Sequence, residues 1–113
     1  MTLQYQGSCM SKNSSLFCGD LKVIGGEIVE NRWPKEGHRV NPADVTDILA
    51  ASPEVLVVGT GYAGFMDVPS SLRSVLKRKN IRLIAEKTPD PVKTFNHLHS
   101  KGKRVAAAFH LTC

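Results

Sequence analysis

The run Val55-Leu56-Val57-Val58, closed by Gly59 and followed by Gly61 and Gly64, restricts the fold of this chain more than any other stretch. Four consecutive apolar residues, mostly β-branched and ended by glycine, read as a strand buried on both faces. The glycines let the backbone turn sharply or approach a ligand closely. Together they also spell G-x-G-x-x-G, the fingerprint of dinucleotide-binding domains.

The segments around this strand carry helix signals. Upstream, Asn41 is a good N-cap, Pro42 suits the first helical position, and Asp44 adds first-turn negative charge. Val45, Ile48 and Leu49 then give an i, i+3, i+4 apolar stripe, and Ser52-Pro53 stops the helix. Downstream, residues 69–79 form a second amphipathic pattern with Leu72, Val75 and Leu76 facing inward, and Asn80 suits a left-handed C-terminal position. Residues 81–86 read as a strand. Thr88-Pro89-Asp90 repeats the cap, proline and acid signal, and opens a third helix with Val92, Phe95 and Leu98 buried and Gly102 closing it. Residues 105–109 are a last buried strand. This half is strand-helix-strand-helix-strand, which implies a sheet with helices packed on it.

The first half is β. Residues 16–24 alternate loosely as one strand, Gly25-Gly26 is a two-residue turn signal, and residues 27–33 return as the second arm of a hairpin. Pro34 ends that arm because proline cannot donate to the ladder. Gly7 to Ser15 is polar and rich in glycine and serine, with at most a short strand around Tyr5 to Met10.

With 113 residues the chain forms one domain, 1–113, large enough for a core without staples. No apolar run approaches the roughly 20 residues that span a bilayer, so no membrane insertion is expected. No secretory h-region is visible, and the expected compartment is the cytoplasm. Three cysteines, Cys9, Cys18 and Cys113, show no C-x-x-C spacing and should there be free thiols. The modest net charge of +5 is read as a solubility feature, and the basic residues are spread out apart from Lys77-Arg78-Lys79 and residues 101–104. Both clusters sit where helices end and cations complement the dipole, and no stacking aromatic accompanies them, so nucleic acid is not the expected partner.

The fingerprint fits a dinucleotide site poorly. Glu86 lies near the position of the ribose-binding acid, but Phe65-Met66-Asp67-Val68-Pro69 separates the glycines from the next helix. The helix dipole then does not point at a pyrophosphate held by Gly61. A turn that needs glycine, or a smaller anionic ligand, accounts for the same residues, and no cofactor is expected. His97 and His99 lie two apart on a helix and face different ways, while His110 and Cys113 alone are too few for zinc, so no metal is expected. Cys113, Cys18 and the Thr60 hydroxyl are the nucleophile candidates, without a motif that supplies a base.

Four motifs in order carry a family resemblance: Arg32-Trp33-Pro34-Lys35-Glu36-Gly37-His38-Arg39-Val40, Val57-Val58-Gly59-Thr60-Gly61, Thr88-Pro89-Asp90-Pro91-Val92-Lys93-Thr94-Phe95-Asn96, and the C-terminal stretch from Gly102 to Cys113. Together they resemble a small single-domain family of unassigned activity. Its eukaryotic members include a mitochondrial respiratory complex I assembly factor and an adipogenesis-associated protein. The resemblance implies a three-layer α/β fold with a mixed central sheet, packing helices and the N-terminal β-hairpin. It favours a binding or assembly module with a protein partner. Pro91 stands where the family usually has alanine, and Phe95 where it usually has tyrosine.

A site follows from the strand order if the strands at 55–58 and 81–86 are parallel neighbours. Ligands on open α/β sheets collect beyond the carboxyl ends of parallel strands. Gly59, Thr60 and Gly61 would then meet Lys87 and Thr88 at one edge, where a helix N-terminus favours an anion. His38 and Arg39 would complete the rim. The expected occupant is a small anion, a carboxylate or an acidic side chain of a protein partner. The rival readings are a small-molecule enzyme using Thr60 and Thr88, and a dinucleotide-binding redox protein.

Overall fold

The computed structural model describes residues 3–6, 9–12, 15–18, 20–29, 39–60, 67–87 and 90–110. Within them lie strands β1 (Leu3–Gln6), β2 (Cys9–Lys12), β3 (Ser15–Cys18), β4 (Leu21–Ile24), β5 (Glu27–Val29), β6 (Val55–Gly59), β7 (Arg82–Glu86) and β8 (Val105–Phe109). Helices α1 (Thr46–Ala51), α2 (Ser70–Arg78) and α3 (Asp90–Ser100) complete the set. β1, β2 and β3 form an antiparallel meander, and the other five strands form one mixed sheet in the order β5-β4-β8-β6-β7.

β6 is buried along its whole length, as its run of apolar residues requires. Its side chains alternate between two cores. Leu56 and Val58 join Ile48, Leu72 and Leu76 beneath α1 and α2. Val55 and Val57 join Val92 and Phe95 of α3, together with Leu3 and Met10 of the meander. The protein is therefore a three-layer α/β structure with a mixed central sheet. Burying Leu72 and Leu76 fully stabilises α2 against the sheet by about 1.5–3 kcal/mol per side chain. The middle position of the sheet belongs to β8, not β6. Its small Ala106, Ala107 and Ala108 let elements on both faces approach closely, and Phe95 meets Phe109 edge-on at 6.2 Å.

Several local signals act as their chemistry demands. Gly25 and Gly26 both have positive φ, 58° and 81°, the geometry of the two-residue turn whose twist matches antiparallel strands. At the start of the first helical segment the Asn41 N–H donates to Asp44 Oδ2 and the Asp44 N–H to the Asn41 carbonyl, each at 2.9 Å. That segment is a 3-10 turn over Pro42–Val45 followed by α1. Asn80 takes φ 56° after α2, and Gly102 takes φ 77° after α3.

Other expectations fail. Where at most a short strand around Tyr5 to Met10 is expected, β1 and β2 form, and with β3 they make a three-stranded meander ahead of the hairpin of β4 and β5. The single strand expected over 16–24 is two strands, β3 pairing with β2 and β4 with β8. β3 pairs within a local hairpin, Lys12 opposite Ser15, whereas the partner of β4 lies at the far end of the chain and leaves no local mark. The meander is held by long-range contacts: Leu3 and Met10 enter the α3 core, and Asn96 brackets Leu3. The Leu3 N–H donates to Asn96 Oδ1 at 2.9 Å, and Asn96 Nδ2 donates to the Leu3 carbonyl at 2.7 Å. The expectation of three free thiols fails at Cys9, which is disulfide-bonded. The meander register sets Cys9 opposite Cys18. Directly opposite residues of an antiparallel pair hold their Cβ atoms about 4.5–5.5 Å apart, so a ladder brings such pairs near bridging range.

Lys22 is a buried cation in β4. Its ammonium donates to the Asp44 carbonyl at 3.0 Å and pairs with Asp47 at 2.8 Å, which ties the sheet to the first helical segment.

Candidate functional site at the carboxyl edge of the parallel strands

β7 and β8 both run parallel to β6, so the carboxyl ends of all three strands lie at one edge. The edge is stitched by hydrogen bonds. The Thr60 N–H and hydroxyl donate to the Glu86 carbonyl at 2.9 and 3.1 Å, and the His110 N–H donates to the Gly59 carbonyl at 2.9 Å. Beyond β6 the chain passes to α2 on one face. Beyond β7 it passes to α3 on the other. Adjacent parallel strands whose following segments leave to opposite sides open a crevice between their ends, the usual ligand position in such sheets.

Gly59, Thr60 and Lys87 thus stand at the edge where the sequence predicts them, with Lys87 exposed. Thr60 is committed to the strand junction: its amide and its hydroxyl both serve the Glu86 carbonyl, and neither points to a role as nucleophile. Glu86 is itself engaged, because the Thr94 hydroxyl donates to its carboxylate at 2.7 Å. Arg39 sits beside the segment leading into α2: the Val40 N–H donates to the Asp67 carbonyl at 2.9 Å, and the Arg39 and Asp67 side chains lie 3.7 Å apart. Both are more than half exposed, so this is a solvated pair of small net strength. His38, Gly61 and Thr88 lie outside the described residues, as does the glycine loop at 61–66. α2 begins at Ser70, well past the glycines, as the spacing predicts.

One pair at this edge escaped the sequence. β4 runs antiparallel to β8, which brings Asp20 to His110. The ring is buried, and His110 Nδ1 lies 2.8 Å from Asp20 Oδ2. The partners are 90 positions apart and no local signal joins them. The other histidines do as their spacing suggests: His97 is exposed, and His99 stacks on Phe95 at 5.6 Å. Among the described residues no cluster of three or more His, Cys, Asp or Glu side chains could hold a metal ion.

The described charges of this edge are mixed, with Lys87 and Arg39 near Asp20, Asp67 and Glu86. Such an edge can orient a polar ligand by hydrogen bonds and one or two cations.

Comparison with known proteins places the chain. A family model described as a protein of unknown function (DUF498/DUF598) matches residues 3–110. Among solved structures the chain is similar to a conserved hypothetical protein of Pyrococcus horikoshii, at 23% identity over 100% of both chains with a TM-score of 0.87. It is also similar to a protein of Bartonella henselae described as an outer membrane protein, at 26% identity over 95% of this chain and 90% of that one, TM-score 0.81. A Bordetella pertussis protein described as a Mth938-like domain aligns at 22% identity over 96% of this chain and 84% of the other, TM-score 0.67. At these identities the solved structures speak to the fold.

Proposed function

The chain belongs to the DUF498/DUF598 family, and we propose that within it this protein is a binding or assembly module that engages its ligand at the carboxyl edge of β6 and β7. The observation that carries the reading is the divergence of the chain after these parallel neighbours, to α2 on one face and α3 on the other. The crevice so formed is rigid, since Thr60 bridges both strand ends. Lys87 is the exposed cation beside it, and Thr94 holds the Glu86 carboxylate on its own hydroxyl. The fitting occupant is a carboxylate, either of a small anion or of an acidic side chain on a protein partner. The assembly role follows the resemblance to respiratory-complex assembly factors.

Among the described residues no helix is long and apolar enough to cross a membrane, which says nothing of spans built from strands. A cytoplasmic placement is part of the same proposal. The disulfide at Cys9 opposes it, since disulfides persist mainly in oxidising compartments: a reduced Cys9 in the cell supports the placement and an oxidised one overturns it.

The site is tested by an amide NMR titration with citrate. The expected result is saturable shifts at Gly59, Thr60, Glu86 and Lys87 that disappear in Lys87→Glu. Shifts confined to other parts of the chain, or binding indifferent to the charge at position 87, would overturn the proposal.

A further inference from the structure

Among the described residues, the opposite edge of the sheet, where β6, β7 and β8 begin, gathers more positive charge than the carboxyl edge. α2 ends there, bringing Lys77, Arg78 and Lys79, and all three are exposed. α3 ends there too, and Lys101, Lys103 and Arg104 follow it, also exposed. Arg82 opens β7 between the two groups. Cations at helix C-termini complement the helix dipole, which suffices for Lys77 and Lys101. It does not reach Arg82 and Arg104, which lie at strand starts.

Backbone hydrogen bonds make the two groups one surface. The Arg82 N–H donates to the Glu54 carbonyl at 3.0 Å, and the Glu54 N–H donates to the Arg104 carbonyl at 2.8 Å. Arg82, Glu54 and Arg104 therefore follow one another across three neighbouring strands. Two strand spacings of about 4.8 Å put the backbones at Arg82 and Arg104 about 10 Å apart. Among the described residues the carboxylates at this edge are Glu54 and, at the β4–β5 turn, Glu27. The Glu54 carboxylate accepts from the Arg104 N–H at 3.1 Å.

A cavity of about 200 Å³ opens on the same edge, lined by apolar Ile24, Pro53, Val105 and Ala106 and by the basic His99 and Lys103. That volume suits one medium-sized apolar side chain. Cations beside an apolar cavity match an acidic chain that carries an apolar anchor.

We propose that this amino edge is an interaction surface for an acidic polypeptide segment of a partner protein, anchored by one apolar residue in the cavity. The surface is separate from the carboxyl-edge crevice, so either can fail without the other. A single nucleic-acid strand fits less well, because the described residues of this edge present cations without exposed aromatic rings for bases to stack on. An anionic membrane fits less well too, since the described edge residues offer no protruding apolar side chain to insert.

The test uses the whole protein and a short fluorescein-labelled peptide of glutamates flanking one leucine, read by anisotropy. The expected result is saturable binding that weakens as salt is raised, since exposed charges are screened beyond about 10 Å at 0.1 M. Replacing the leucine by glycine should weaken it, and replacing the glutamates by glutamine should abolish it. Each exposed ion pair contributes a factor of roughly 1.5 to five, so the combined Lys77→Glu, Arg82→Glu and Lys103→Glu variant should bind at least about threefold more weakly. Amide shifts should fall at Gly25, Gly26, Arg82, Lys103 and Arg104. Three results would each overturn the proposal: equal binding of the glutamine peptide, shifts centred on Thr60 and Lys87, or tighter binding of oligouridine or phosphatidylserine vesicles than of the acidic peptide. The peptide substitutions and the salt series stand even if the triple variant fails to fold.

Discussion

Replacing Asn96 by alanine removes both arms of the bracket that holds strand β1 against α3. The side-chain amide accepts from the Leu3 N–H at 2.9 Å and donates to the Leu3 carbonyl at 2.7 Å, so it completes an edge strand as a neighbouring strand would. A net contribution of about 0.5–1.5 kcal/mol for each bond gives a loss of about 1–3 kcal/mol. The upper half of that range applies if the Leu3 groups stay shielded from water, since Leu3 itself is only 2% exposed. For 113 residues each kcal/mol lowers Tm by roughly 4 °C, so Asn96→Ala should melt about 4–12 °C below the parent. Asn96→Asp separates the arms. Its carboxylate still accepts from the Leu3 N–H but meets the Leu3 carbonyl without a hydrogen to share, so it should be no more stable than the alanine variant at neutral pH. Urea unfolding gives the free energies, and amide hydrogen exchange at Leu3 reports the meander directly. Unchanged exchange at Leu3 in Asn96→Ala, or a loss of less than about 0.5 kcal/mol, would refute the view that this side chain pins the meander.

Two further outcomes follow from the buried cation and from Cys9. Asp47→Ala leaves the Lys22 ammonium buried with the Asp44 carbonyl as its acceptor; because the Asp47 side chain is 37% exposed, the cost should be about 1–3 kcal/mol, below that of a fully buried pair. Lys22→Met, which replaces the charge by an apolar side chain of similar length, should cost less, and adding Asp47→Ala to it should cost almost nothing more; equal costs in the two backgrounds, measured by urea titration, would remove the pair as the cause. Thiol titration of the denatured protein without reductant should count one thiol, the three cysteines less the two of an intramolecular disulfide, and three after reduction. A count of three before reduction would refute the disulfide at Cys9.

Much of the architecture is legible in local chemistry. Gly25-Gly26 turns because both residues must take positive φ, Asn41 and Asp44 cap because their backbone donors lack helical partners, and Asn80 and Gly102 end helices in the left-handed region. Each of these is decided within about four residues, the range over which a side chain can satisfy or strain its own backbone. The apolar alternation of the second half likewise marks β6, α2, β7, α3 and β8, since burial on a strand or helix repeats with a fixed period.

What the residues alone left open are the relations between elements. Nothing near Val105 announces that β8 takes the middle of the sheet, because its neighbours β4 and β6 are chosen by packing on both faces at once. The polar start of the chain becomes a three-stranded meander only because Leu3 and Met10 find the α3 core and Asn96 stands opposite Leu3, 93 positions away. Asp20 and His110 meet for the same reason, across an antiparallel pair whose members lie at opposite ends of the sequence. The two charged clusters read separately as helix ends. Only the parallel order of β8, β6 and β7 joins them through Arg82 and Arg104 into one cationic edge, and the same order brings Thr60 and Lys87 to the other. Pairing of distant strands costs loop entropy that local contacts do not offset, so it is settled by the free energy of the whole packed core rather than by any stretch of sequence read alone.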